Sequence, residues 1–227
     1  MLRFLFSPEW FYNIDSIFEF VTVIVAILVA VYSYKCFRLS GDQKYKWFSL
    51  SFAGIAAGFL AKIMTNFTLY HEVVKTKAVG LLVLTSRYVQ RDIFFLSTTT
   101  FFYHLLILLG LLGLYLCIYK SYKQKQDIFI LLFLAFISTV GSHYRYQVFH
   151  ITAAVLLFFI FRHFYKNYLK KMTKNTLLVA LAFCLLLISQ ILFTFIGLDP
   201  QLYVIGEVIQ LVGFVLLLAT YIIVLKK

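Results

Sequence analysis

The sequence is poor in charged residues, proline and cysteine, and each shortage excludes a class of protein. Charged residues make up 13% of the 227 residues, whereas a soluble domain averages about 25%. Such a chain has too little polar surface to face water on all sides, which excludes an ordinary soluble enzyme and a disordered protein. The three cysteines form no C-x-x-C pair, which excludes a disulfide scaffold and a zinc knuckle. The two prolines both lie outside the long apolar runs, so we expect no proline kinks within them.

Hydrophobic residues make up 63% of the chain and are concentrated in seven long runs. A helix needs about 20 apolar residues to cross about 30 Å of hydrocarbon, and the runs do not alternate as membrane β-strands do. We therefore predict an all-α fold, a single-domain bundle of seven transmembrane helices. The predicted spans are residues 14–34, 47–68, 93–118, 128–142, 146–165, 176–196 and 202–225. The fourth is the shortest. Residues 71–92 form the longest connection, which we interpret as an interfacial segment or a lid.

The net charge of +12 indicates orientation. Most of the 21 Lys and Arg residues fall in the first, third and fifth connections and at the C-terminus. Cytoplasmic loops of membrane proteins collect basic residues, so we predict that the N-terminus is outside and the C-terminus inside. The same rule explains the basic composition, and we therefore predict no nucleic-acid partner.

Ionisable and amide side chains occur inside six of the seven predicted spans. Apart from Arg162 and His163 at the inner end of the fifth span, the helix directions place them in the outer half of the membrane. Such residues are costly in a membrane and by default indicate a functional site. We predict that they line a polar ligand pocket open to the outside, in which Lys62 pairs with Glu19 or Glu207. The predicted site residues are Glu19, Lys62, Asn66, His104, His150, Gln190, Glu207 and Gln210. The alternative is that these groups only fasten helices together or extend to the membrane surface.

Two of the runs show a polar or small-residue stripe at helical spacing. In the first run, this stripe predicts a buried face, which comprises Asp15, Glu19, Thr22, Ala26, Ala30 and Ser33. In the second run, Gly54 and Gly58 form a G-x-x-x-G motif, which predicts close helix packing within the chain, with a dimer contact as the alternative.

The first three runs can be aligned with the last three, which leaves the fourth as a connector. The alignment places Glu19 on His150, Lys62 on Gln190 and His104 on Glu207. This pattern predicts a parallel three-plus-one-plus-three duplication with its axis along the membrane normal.

The sequence lacks the common catalytic signatures. There is no G-x-S-x-G, P-loop or H-E-x-x-H motif. The seventh run has no lysine for a retinal Schiff base and no H-x-x-x-H pair of the kind found in seven-helix zinc hydrolases. We therefore assign no catalytic residue, no metal site and no cofactor.

The early acidic residue Glu19, followed by Tyr34-Lys35 and the segment Lys44–Phe52, gives the chain a recognisable pattern. It resembles uncharacterised prokaryotic seven-helix membrane proteins and the seven-helix sensor domains at the front of some histidine kinases. The resemblance implies a multi-pass protein of a prokaryotic cell membrane. It also implies a signalling partner protein, since this sequence contains no kinase or other output domain. A second, topological resemblance is to the three-plus-one-plus-three sugar transporters.

From these patterns we predict an integral membrane receptor-like or sensory module. Its partners would be the lipid bilayer, a small-molecule ligand on the outer side and a signalling protein. Transport is less favoured because the charged groups stop short of the inner half. The alternatives are a small-solute or proton-coupled transporter, a membrane-embedded lipid-modifying enzyme and a structural subunit.

Overall fold

The structure is a computed structural model that describes the backbone of residues 7–11, 13–79, 85–119 and 125–225. Within these ranges, the side chains of residues 9, 68–79, 85–94, 125–127 and 224–225 are not described. The described chain is helical. A short 3₁₀ helix, Glu9–Phe11, precedes seven α-helices. They are α1 (Ile14–Ser40), α2 (Gln43–Val79), α3 (Thr85–Tyr119), α4 (Lys125–Tyr144), α5 (Tyr146–Lys171), α6 (Lys174–Thr194) and α7 (Gln201–Leu225).

Six of the seven described helices are long and apolar enough to cross a membrane, as a multi-pass membrane protein requires. The exception is α4, whose described apolar part, Ile128–Tyr144, is shorter. It is separated from α5 by Arg145, whose extended backbone interrupts the helical path. The predicted all-helical architecture is confirmed. Six of the described helices also have the predicted length and apolar composition for crossing a membrane.

The helices α2 and α3 extend further than the apolar runs that predicted them. The 37 residues of α2 would reach about 55 Å at 1.5 Å per residue, well beyond a hydrocarbon layer of about 30 Å. Residues 71–79 and 85–92, which were predicted to belong to a connection, have helical backbone. Their side chains are not among those that the structure describes. The predicted interfacial segment or lid therefore falls outside the described residues.

Six helices form a closed ring in the order α1, α2, α3, α5, α6, α7 and back to α1. α4 packs on the outside of this ring, against α3 and α5. The centre of the ring is filled by a continuous apolar core that includes Phe52, Leu108, Phe149 and Phe183.

The orientation of α1 within the ring follows the stripe identified in its sequence. All six stripe residues, from Asp15 to Ser33, are buried. The opposite face of α1 is apolar and exposed, and it comprises Ile17, Phe20, Ile24, Ile27 and Val31. A helix with its polar face inward and its apolar face outward is suited to lipid surroundings.

Small residues bring α2 and α3 together. A Cβ added at Gly54 would lie 3.7 Å from Gly110 Cα, and one at Gly58 would lie 2.8 Å from Ile107 Cγ1. The G-x-x-x-G motif therefore serves packing within the chain. On the other side of this contact, a Cβ at Gly110 would lie 2.6 Å from Ile55 Cγ1 and 2.8 Å from the Ser51 carbonyl oxygen.

We predict that Gly110→Ala destabilises the protein, whereas Gly54→Ala does not. The new methyl group at position 110 meets backbone atoms of α2 that cannot move aside, and such overpacking costs about 1–3 kcal/mol. At position 54 the methyl group has an ordinary van der Waals contact. The measurement is the unfolding temperature of each purified variant in the same detergent. Equal unfolding temperatures for the two variants would contradict this α2–α3 contact.

Candidate functional site

The centre of the site is a lysine shared by two carboxylates. Lys62 Nζ on α2 lies 2.8 Å from Glu19 Oε1 on α1 and 2.5 Å from Glu207 Oε1 on α7. The side chain of Lys62 is 13% exposed, whereas those of Glu19 and Glu207 are 0% and 1% exposed. One ammonium therefore links three helices that meet inside the ring.

Asn66 provides the remaining hydrogen bonds of Glu19. Its Nδ2 lies 3.0 Å from each carboxylate oxygen of Glu19. Lys62 and Asn66 are four residues apart and so lie on the same face of α2. The amide and the ammonium together give Glu19 donors on both oxygens, as a buried carboxylate requires. We call Glu19, Lys62, Asn66 and Glu207 the ionic cluster.

Three aromatic rings surround the ammonium of Lys62. Its Nζ lies 5.8 Å from the ring centre of Tyr103, 5.9 Å from that of Phe193 and 5.6 Å from that of Tyr203. A cation within about 6 Å of an aromatic ring centre is attracted by the electrons of the ring face. The ionic cluster therefore lies in surroundings that favour positive charge.

The fully buried Asp15 is also near the cluster and was not among the predicted site residues. It lies in the first turn of α1, where the helix dipole favours a carboxylate. The backbone N–H of Ser16 donates to Asp15 Oδ1 at 2.7 Å, and the hydroxyl of Tyr203 donates to Oδ2 at 3.3 Å. Asp15 could have been predicted from the sequence, because it lies on the same buried stripe as Glu19. Nothing in the sequence distinguishes Tyr203 from the other tyrosines, of which there are sixteen in all.

A second polar group joins α5, α6 and α7. His150 Nδ1 lies 2.9 Å from Gln190 Oε1, and Gln190 Nε2 donates to Gln210 Oε1 at 3.2 Å. Because Gln190 Oε1 can only accept, this contact requires a hydrogen on Nδ1 of His150. Three predicted site residues thus form one hydrogen-bonded chain in which Nε2 of His150 is left for another partner.

His104 on α3 contacts α4 rather than the other predicted site residues. Its Nδ1 lies 2.8 Å from Ser142 Oγ, and its ring stacks on Phe149 with ring centres 4.1 Å apart. The hydroxyl of Ser142 donates to the Thr139 carbonyl oxygen at 2.6 Å, so His104 is the donor of the first bond. A catalytic serine would give its proton to the histidine, which is the opposite of the direction in this hydrogen bond.

A cavity of about 140 Å³ connects these groups. It lies at the end of the bundle where α1, α5 and α7 begin, between buried Glu207 and exposed His143. Five of the eight predicted site residues line it, namely Lys62, Asn66, His104, His150 and Glu207. The other three do not: Glu19 lies behind Lys62, and Gln190 and Gln210 line a smaller apolar cavity of about 30 Å³.

α4 also contributes to the cavity, although the pocket residues predicted from the sequence all lie on the other six helices. Thr139 and Ser142 of α4 also line the cavity. They were missed because serine and threonine occur in membrane helices without any functional role, where their hydroxyls bond to backbone carbonyls four residues earlier. Thr139 does this too, since it donates to the Ala135 carbonyl oxygen at 2.9 Å.

The fold and the site together define a polytopic helical membrane protein with a buried ionic cluster beside a polar cavity. Among the described residues, no group of three or more His, Cys, Asp or Glu side chains is placed to hold a metal ion. No protein-family model matches the chain, and no curated protein or solved structure is significantly similar to it.

We predict that Lys62→Met destabilises the protein by about 3–5 kcal/mol, because removal of one partner leaves buried charge uncompensated. The triple variant Glu19→Gln, Lys62→Met, Glu207→Gln should recover much of this loss, since it removes the charges together. The measurement is the free energy of unfolding in detergent, with Ser33→Ala as the control. Ser33 bonds to Tyr221 near the opposite end of α1. A Lys62→Met variant as stable as the control would contradict the ion pairs.

Proposed function

We propose that this chain is an integral membrane receptor-like or sensory protein whose cavity binds a small polar ligand. The observation that carries the proposal is the convergence of five polar side chains from α2, α3, α5 and α7 on one cavity. Its volume of about 140 Å³ is close to that of an engineered cavity of about 150 Å³ that holds benzene. This size suits a ligand of roughly six non-hydrogen atoms.

Sensing fits the structure better than transport, because the interior beyond the cavity is apolar and packed. Phe52, Leu108, Leu112 and Leu114 fill the centre of the bundle, each with 2% exposure or less. A solute would have to pass this core to reach the other end. A sensor needs only that ligand binding changes how the helices pack, and it passes the signal to a partner protein.

The proposed orientation has the N-terminus outside and the cavity facing outward, in a prokaryotic cell membrane. Basic side chains support it. At the end opposite the cavity, nine described Lys and Arg side chains are exposed: Lys35, Arg38, Lys44, Lys46, Arg162, Lys166, Lys170, Lys171 and Lys174. At the cavity end, among the described side chains, Arg145 is the only exposed Lys or Arg. The basic end is the one expected in the cytoplasm.

The proposed duplication is supported by two equivalent contacts. The alignment pairs Glu19 with His150 and Lys62 with Gln190. In the structure, Glu19 contacts Lys62 between α1 and α2, and His150 contacts Gln190 between α5 and α6. Each aligned pair therefore makes a polar contact between two consecutive helices of its half of the ring.

Orientation is testable with single cysteines in a variant that has Cys36, Cys117 and Cys184 replaced. We predict that a membrane-impermeant maleimide labels Leu198→Cys in intact cells, because Leu198 is 82% exposed at the cavity end. Asp42→Cys, between α1 and α2, should be labelled only after permeabilisation. The opposite pattern would overturn the orientation.

Ligand binding is testable by filling the cavity. Thr100 lines it, and we predict that Thr100→Phe abolishes the stabilisation that any small polar compound gives the wild-type protein. The measurement is the unfolding temperature in nanodiscs across a panel of small metabolites, with Ser33→Ala as the control variant. Stabilisation that persists in Thr100→Phe would overturn the proposed pocket. Proteoliposome flux that is lost in Glu207→Gln would instead assign the protein to transport.

A further inference from the structure

The ionic cluster has one more carboxylate than it has cations. Glu19 and Glu207 share the single ammonium of Lys62. Asp15 does not enter this balance, because the helix N-terminus and the Tyr203 hydroxyl stabilise it separately. Among the described residues that line the cavity, Lys62 is the only lysine or arginine.

The histidines of the cavity do not supply the missing charge. His150 and His104 donate from Nδ1 to neutral groups, Gln190 and Ser142 respectively, so neither is paired with a carboxylate by the hydrogen bonds described. Neutral imidazoles with hydrogen on Nδ1 present Nε2 as an acceptor. They therefore add sites for a donor from a ligand.

The two carboxylates differ in their access to the cavity. Glu207 lines it, whereas Glu19 is held by Asn66 and Lys62 behind it. A cation entering the cavity would therefore meet Glu207 first. Lys62 could give up Glu207 and keep Glu19, so that each carboxylate would have a cation of its own.

The walls of the cavity suit a cation. Tyr103, Phe193 and Tyr203, which surround the ammonium of Lys62 at 5.6 to 5.9 Å, also line the cavity. Because these rings already surround the ammonium of Lys62, they are placed to make cation–π contacts with a second ammonium in the cavity. In addition, Thr100 Oγ1 is buried without a hydrogen-bond partner and its residue lines the cavity. A buried hydroxyl without a partner is costly, and a ligand N–H would satisfy it.

We propose that the ligand is a small organic cation whose ammonium pairs with Glu207 while Lys62 remains on Glu19. This inference rests on the proposed binding function and names the ligand class. An anion is disfavoured because it would have to compete with two carboxyl groups for one ammonium. A neutral molecule is disfavoured because Glu19 and Glu207 would still share one ammonium after it had bound.

The test uses three probes of similar size and different charge: n-butylammonium, n-butanol and n-butyrate. Each is added to the full chain in nanodiscs at matched ionic strength, and binding is measured from the rise in unfolding temperature with concentration. We expect n-butylammonium to bind at least tenfold more tightly than n-butyrate and more tightly than n-butanol. Glu207→Gln should remove this preference, whereas Ser33→Ala should retain it.

Lys62→Met provides a second variant, in which we expect stabilisation by n-butylammonium to increase. Without the ammonium of Lys62, both carboxylates are open to the probe, so n-butylammonium should raise the unfolding temperature of this variant more than that of the wild type. This readout remains usable when Lys62→Met is unstable, because the probe restores the missing charge.

The outcomes separate the two proposals. If n-butanol or n-butyrate binds as tightly as n-butylammonium, the ligand class is wrong and the pocket stands. If none of the three probes stabilises the wild type and no metabolite of the panel does so, both the ligand class and the pocket fail. If the Glu207→Gln variant still binds n-butylammonium more tightly than the other two probes, Glu207 is not the carboxylate that pairs with the ligand.

Discussion

The structure depends on one electrostatic constraint, in which two buried carboxylates compete for a single ammonium. A charge in the interior of a membrane protein is expensive unless it is paired and hydrogen-bonded. If Lys62 moved away from both glutamates, two buried carboxylates would be left unpaired. Neither glutamate has another cation among the described residues. This constraint ties α2 to its ring neighbour α1 and, through the Lys62–Glu207 ion pair, to α7, which is the other neighbour of α1 in the helix ring.

The constraint has particular weight because lipid removes the usual driving force for packing. Two apolar helix faces gain little from contact with each other when lipid tails surround them. Close approach at small residues and polar contacts between helices must then decide which faces meet. Both occur on α2, which carries Gly54 and Gly58 on its contact with α3 and Lys62 and Asn66 on its contact with α1 and α7.

The sequence predicted the features that follow from the cost of burying charge. Intramembrane charge needs a partner, so the meeting of Glu19, Lys62 and Glu207 could be expected from their presence on separate helices at similar depth. The features that carry no such cost were not predictable. Ser142 and Tyr203 are of residue types that are common in membrane helices, and only the folded structure places them at the cavity. The ends of α2 and α3 were also missed, because hydropathy marks where a helix crosses hydrocarbon and not where it stops.

The position of the ionic cluster determines what a ligand could change. Lys62 contacts Glu19 and Glu207 at the same time, so a cation that takes Glu207 alters the contact between α2 and α7 and leaves the contact between α1 and α2 in place. The core beyond the cluster is apolar and buried, and protein interiors resist gradual deformation. A changed α2–α7 contact would then be passed on as a shift of whole helices toward the basic end of the bundle. This route requires no pore, which is why we propose a receptor rather than a transporter for a bundle that combines an apolar core with a charged cavity.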